Sequence, residues 1–233
     1  MGQETNTFSG YMGKILRIDL THSKWTAEPL RKDLAESFIG GRGFGIKILF
    51  DELKNGIDPL SPENKLIITV GPLTGTKAQS ASRWIAQFKS PLTGAYCRSV
   101  GGGFFGAELK FAGYDAIVVE GRSEKPVYVW IKDDCVEFKD ASRVWGMTTK
   151  CTKEFILEET DEKAKISMIG PAGERLVKMA AIVTDDMRTA SRGGGGAVMG
   201  SKNLKAIVVR GTRRPAIHDE NAFDEAVKTQ IEA

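Results

Sequence analysis

Residues 106–121 return 90 positions later as residues 196–211, with seven of the sixteen positions identical. The shared positions are Gly106 and Gly196, Ala107 and Ala197, the apolar runs 116–119 and 206–209, and the closing Gly121 and Gly211. Upstream, a segment ending in Gly71-Pro72 answers one ending in Gly170-Pro171. A duplicated order of this kind predicts two similar halves related by a pseudo-twofold axis. Between the shared marks each copy carries arginine and a glycine patch. The first has Arg83 with residues 101–103, and the second has Arg188 and Arg192 with residues 193–196.

Hydrophobic periodicity places the elements around this frame. Leu16, Ile18 and Leu20 alternate with Arg17 and Asp19 as a half-buried strand, and a turn at residues 21–24 leads to a second strand at 25–30. Asp33 is placed as the cap of a short helix running to Phe38. Residues 40–43 break that helix, and Ile46, Leu49, Phe50 and Leu53 restart helical spacing. Further strands are predicted at 65–70, 84–88, 116–119, 127–131, 135–138, 165–169, 179–183 and 206–209, with helices at 107–112 and 148–159. Strands outnumber helices, so the expected class is α+β, β-rich, rather than a regular βαβ series. Residues 1–212 read as one domain. Residues 213–233 read as a linker and the first helix of a following domain, because Pro215 ends the last strand and Phe223, Ala226, Val227 and Ile231 share one helical face.

Composition excludes several classes. With 233 residues, 41% hydrophobic and 27% charged, the chain is neither disordered nor collagenous nor a coiled coil. A net charge of +3, with no long basic run, argues against nucleic acid. No apolar run reaches the roughly 20 residues of a bilayer span, and residues 1–10 lack the basic and apolar parts of a secretory signal, so no membrane association is expected. Cys97, Cys135 and Cys151 make no CxxC, so the expectation is no zinc or iron–sulfur site in this chain, a cytoplasmic location, and cysteines acting as small buried hydrophobes.

The glycine-and-arginine loops carry the chemistry. Consecutive glycines let backbone N–H groups converge and a ligand approach the main chain. Arginine adds a fork that bonds phosphate oxygens in pairs. The bland reading is turns and bulges. A literal G-x-G-x-x-G occurs at Gly101, Gly103 and Gly106, yet only nine residues separate Gly106 from Ala116 and Val198 stands where the second copy needs its third glycine, so a dinucleotide fingerprint is a weak reading. Trp25, Trp84, Trp130 and Trp145 read as core or interface. Arg98 is either part of the first loop or a solvated strand residue, His22 and His218 are solvated, and Glu108 pairs or caps locally and is not catalytic.

Residues 60–66, 71–76, 89–94, 105–115, 169–174, 192–194 and 196–205 resemble the N-terminal domain of the tungsten-containing aldehyde:ferredoxin oxidoreductase family. The likeness runs from about Gly13 to Gly211. It implies two β-sheets about a pseudo-twofold axis, forming a base for a tungsten bis-pyranopterin whose two phosphates are bridged by magnesium. By motif it assigns cofactor contacts to Arg83, Val100, Gly102, Arg188, Thr189, Ser191 and Arg192, with the backbone carbonyls of Val100 and Thr189 on magnesium. Asparagine in the familiar members stands where this chain has Val100, and small residues stand at Thr189 and Ser191. A carbonyl survives such changes.

The resemblance further implies an enzyme oxidising aldehydes to carboxylic acids, with tungsten or molybdenum at the centre and ferredoxin as electron acceptor. The [4Fe-4S] cluster would be ligated by other domains, this domain alone would be inactive, and a homodimer is left open. The rival reading is a non-catalytic module that binds a pterin or nucleotide or assembles with a subunit.

Overall fold

The computed structural model describes residues 8–184 and 188–232. The first half contains β1 (Lys14–Asp19), β2 (Lys24–Pro29), α1 (Lys32–Phe38), α2 (Arg42–Glu52), β3 (Leu66–Val70), β4 (Trp84–Lys89), β5 (Tyr96–Gly101), α3 (Phe105–Phe111) and β6 (Ala116–Glu120). The second contains β7 (Val127–Lys132), β8 (Cys135–Asp140), α4 (Thr149–Glu159), β9 (Lys165–Met168), α5 (Pro171–Glu174), β10 (Ile182–Thr184), β11 (Thr189–Ala190), α6 (Gly195–Ser201) and β12 (Leu204–Arg210). Helix α7 (Glu220–Glu232) follows.

Each half is one six-stranded mixed sheet. The order is β2-β1-β6-β3-β4-β5 in the first and β8-β7-β12-β9-β10-β11 in the second, which is the same topology advanced by six strands. In both, only one neighbouring pair is parallel, β1 with β6 and β7 with β12. The duplication therefore extends well beyond the sixteen-residue match that betrays it.

The layers follow from where apolar side chains can be covered. Leu16, Ile68, Trp84, Phe105 and Leu109 meet Val129, Ile182, Met199 and Ile207 in one cluster shared by the two sheets. On the outer face of the first sheet, Ile15, Ile67 and Val118 pack on Phe44, Ile48 and Leu49 of α2. On the outer face of the second, Tyr128, Ile166 and Val208 pack on Ile156 of α4. Strands covered on both faces lose their alternation, which is why β3 is apolar on both faces but for Thr69 and buried throughout.

Each short central helix reaches across to the other half. Glu108 of α3 accepts from Arg210 Nη1 at 2.7 Å and from the Gly211 N–H at 2.9 Å, next to the end of β12. Lys202, which caps α6, donates to the carbonyls of Pro62 and Gly121, each at 3.1 Å. Glu108 thus pairs over a sequence distance of about 100 residues, not locally as expected.

Other expectations need correction. Helix α2 begins at Arg42, inside the glycine run, and buries Phe44, Gly45, Ile48 and Leu49; Ile46 and Phe50, expected on its apolar face, are exposed. Asp33 lies in the first turn of α1 and pairs with Arg31, which is the N-cap residue. Strand β10 starts at Ile182, leaving Met179 exposed. Strands β5 and β11 and helices α5 and α6 were not expected, because polar, glycine-rich or very short segments carry little periodicity. Cys135 and Cys151 are exposed and Cys97 half-buried. Cys135 opens the edge strand β8, where alternate residues face solvent. Helix α7 buries none of its residues and is held through polar contacts, Lys77 to Asp224 at 2.8 Å and the Gln79 N–H to Gln230 Oε1 at 3.0 Å.

Candidate functional site

Strands β5 and β11 are the edge strands of their sheets, and they lie against each other where the halves meet. The Arg192 N–H donates to Ser99 Oγ at 2.8 Å, and Ser90 Oγ donates to the Gly193 carbonyl at 2.7 Å. These bonds tie the turn after β11 onto β5.

Register shows which backbone groups stay free. The Ser90 N–H donates to the Ala95 carbonyl at 2.8 Å, making that a hydrogen-bonded pair. Counting in twos along β4 and β5, Ile85 and Val100 form a non-hydrogen-bonded pair. In an antiparallel ladder such residues point both N–H and C=O away from the partner strand. In the second sheet the Thr184 N–H donates to the Arg188 carbonyl at 2.8 Å, so Val183 and Thr189 are again the non-bonded pair. Val100 and Thr189 hold the same place in the two sheets, each directing its carbonyl out from a sheet edge.

Around them lies a cleft of about 700 Å³ lined by Arg83, Val100, Gly102, Arg188 and Thr189, together with Phe104, Ser80 and Ser82. Five of the seven expected site residues, drawn from both halves, thus meet in one place. Among the described residues no carboxylate lines the cleft, and Arg83 and Arg188 have no acidic partner. The two arginines are not symmetry equivalents, because the registers make Ala181 the counterpart of Arg83. Ser191 corresponds to Gly102. It and Arg192 are exposed in the turn that follows β11, beside the cleft rather than in its lining.

The glycines divide by role. A Cβ at Gly101 would overlap the Trp84 indole, one at Gly193 would overlap Cys97, and one at Gly194 would overlap the Lys178 carbonyl, so these three are glycine for close packing. Gly102 is different. Among the described residues nothing lies within 4 Å of a Cβ built there, and its φ is not in the left-handed range. Its bare backbone faces the cleft, held by Trp84 Nε1 donating to the Gly102 carbonyl at 3.2 Å. Trp84 is fully buried and acts through the loop rather than on a ligand. Phe104, 61% exposed in the cleft lining with Lys165 Nζ 5.9 Å from its ring centroid, was not singled out in the sequence; an aromatic inside a glycine loop was its only signal.

The arrangement can bind an anion twice over and a hard cation between, with arginine forks for phosphate oxygens and paired carbonyls for a small divalent ion. That donor set fits a phosphate-bearing bis-pyranopterin accompanied by a divalent cation. Among the described residues no three His, Cys, Asp or Glu side chains gather as a metal site.

Residues 15–211 match the family model described as the aldehyde ferredoxin oxidoreductase N-terminal domain. The chain belongs to the aldehyde ferredoxin oxidoreductase family. A tungsten-containing aldehyde ferredoxin oxidoreductase of Pyrococcus horikoshii is 50% identical over 224 residues, covering 96% of this chain and 37% of that protein. An aliphatic sulfonate oxidoreductase, WOR-like subunit, of Pyrococcus furiosus is 40% identical over 90% of this chain and 36% of its own length. Among solved structures, the active-site complex BamBC of benzoyl coenzyme A reductase with 1,5-dienoyl-CoA matches with a TM-score of 0.94 and 39% identity, over 96% of this chain and 34% of that one. The chain thus spans little more than a third of these family members. Two of the three are named as oxidoreductases and the third as a reductase, and their names differ in substrate. No helix of the described residues is long and apolar enough to cross a membrane.

Proposed function

We propose that this chain is the cofactor-binding N-terminal domain of a tungsten (or molybdenum) bis-pyranopterin oxidoreductase that oxidises aldehydes to carboxylic acids and passes electrons to ferredoxin. The observation that carries the reading is the pair of equivalent, outward-directed carbonyls at Val100 and Thr189, in a cleft flanked by Arg83 and Arg188 with no carboxylate among its described lining residues.

In this reading Arg83, Arg188 and Arg192 hold the pterin phosphates. The Val100 and Thr189 carbonyls would hold the accompanying magnesium. The bare backbone at Gly102 and the small side chain at Ser191 let the two pterins lie close to the main chain. When bound, the metal and its dithiolenes supply the two-electron chemistry. The protein's part is binding, orientation and charge neutralisation, and among the described residues no side chain lining the cleft is a general acid or base. The [4Fe-4S] cluster, the substrate channel and the ferredoxin contact belong to the further length that relatives carry. Residues 1–212 form this domain and 213–233 lead into the next, in a cytoplasmic enzyme.

The test is elemental analysis of natively purified full-length protein for tungsten, molybdenum, magnesium and phosphorus, with fluorescence of released, oxidised pterin. Two pterins per metal are expected, and replacing Arg83 and Arg188 together with Gln should lower occupancy without unfolding the chain. Protein that is folded and empty in every preparation would overturn the reading.

A further inference from the structure

A second cavity lies on the outer face of the first sheet and is chemically unlike the cleft. It is a slot of about 680 Å³ between α2 and the β4–β5 hairpin, walled by Ile46, Leu49, Phe50 and Leu53 on one side and Tyr96 on the other. The volume falls in the ordinary range for small-molecule sites. Its apolar walls are left open: Phe50 is 84% exposed, Ile46 42% and Tyr96 40%.

Charge along the slot has one sign. Lys54 and Lys89 line it, and among the described residues no acidic one does. Lys89 Nζ is anchored at the wall by its hydrogen bond to the Ile57 carbonyl at 2.7 Å. Beyond the lining itself, Arg42 and Arg98 lie close enough to Tyr96 to act on its phenol. Arg42 lies one turn before Ile46 and two before Phe50, on the same stripe of α2. Arg98 lies two residues beyond Tyr96 on the same face of β5. Both guanidiniums pull the Tyr96 phenol down in pKa, although burial wins and leaves it raised. Neither arginine has an acidic partner among the described residues. The nearby acid of α2, Asp51, is taken by Lys47 at 2.6 Å.

We infer that this slot binds an organic carboxylate with an apolar body, the body lying between Phe50 and Tyr96 and the carboxylate meeting Arg42 and Arg98. An apolar trough with only cations around it selects against neutral and cationic amphiphiles. The planar guanidinium fork matches the two oxygens of a carboxylate. The inference is independent of the cofactor reading, because slot and cleft share no lining residue.

Octanoate, octylammonium, octanol and octyl phosphate serve as probes, with calorimetry for affinity and amide chemical shifts for location. Octanoate should bind best and shift Ile46, Phe50 and Tyr96. Arg42→Gln combined with Arg98→Gln should weaken it about tenfold, the scale of one charge-assisted contact. Phe50→Ser should weaken all the probes that bind. These side chains are exposed, and the variants' amide spectra would show whether the fold is kept. Equal binding of octylammonium, tighter binding of octyl phosphate, or shifts centred on Arg83 and Arg188 would each overturn the assignment. So would folded protein that binds no probe, or slot resonances that broaden with protein concentration alone, which would mark a surface for another protein chain.

Discussion

At the residue scale, neighbouring glycines with the same letter do different work. Gly101 is glycine because the Trp84 indole occupies the space of its Cβ, whereas among the described residues nothing lies within 4 Å of a Cβ at Gly102. Gly101→Ala should therefore destabilise the fold by about 1–3 kcal/mol, the usual cost of overpacking. Gly102→Ala should change stability by less than about 0.5 kcal/mol, as at an unconstrained surface position, yet lower the bound pterin. Thermal unfolding and cofactor content measured on both variants separate the two roles. The sequence shows the glycine clusters but not this division, because what a Cβ would strike is decided by side chains distant in the chain.

At the element scale, short helices join what the strands divide. Helix α3 has only seven residues, too few to be stable alone. It persists because Phe105 and Leu109 are fully buried and Glu108 fastens it to the end of β12. Glu108→Ala would leave the buried Gly211 N–H without its acceptor, and should cost about 1–3 kcal/mol in denaturant unfolding. Glu108→Gln keeps a carbonyl oxygen there and should recover most of the loss; equal losses in the two variants would refute the strut. Helix α2 teaches the reverse lesson. Its apolar residues are spread around the axis, so spacing alone could not choose the buried face, and packing against Ile67 and Val118 chose Phe44 and Ile48. The stripe left outside became the wall of a slot.

At the scale of the whole molecule, the two halves are held by charges that the core had to desolvate. Lys202 is fully buried, donates only to carbonyls, and has its pKa pushed down to about 7 by burial. The unfolded chain then binds a proton that the native state sheds, between about 7 and the ordinary 10.5. Stability from this residue therefore rises with pH across that window and is lowest below it. Lys202→Met should flatten that slope in denaturant titrations at a series of pH values; an unchanged slope would mean that Lys202 is not its source.

What the sequence determined by itself is the duplication, most of the strands, and the two loops that bear Arg83 and Arg188, since these are written in local periodicity and in glycine and arginine placement. Only the tertiary structure decided that Val100 and Thr189 are equivalent. The local repeat runs at an offset of 90 and pairs Val100 with Ala190, whereas the strand registers place the two carbonyls 89 apart. One residue of slack between β11 and α6 hides the match in the letters. In a β-ladder a slip of one residue reverses the direction of every carbonyl, so the site's symmetry exists only once hydrogen bonds have set the register.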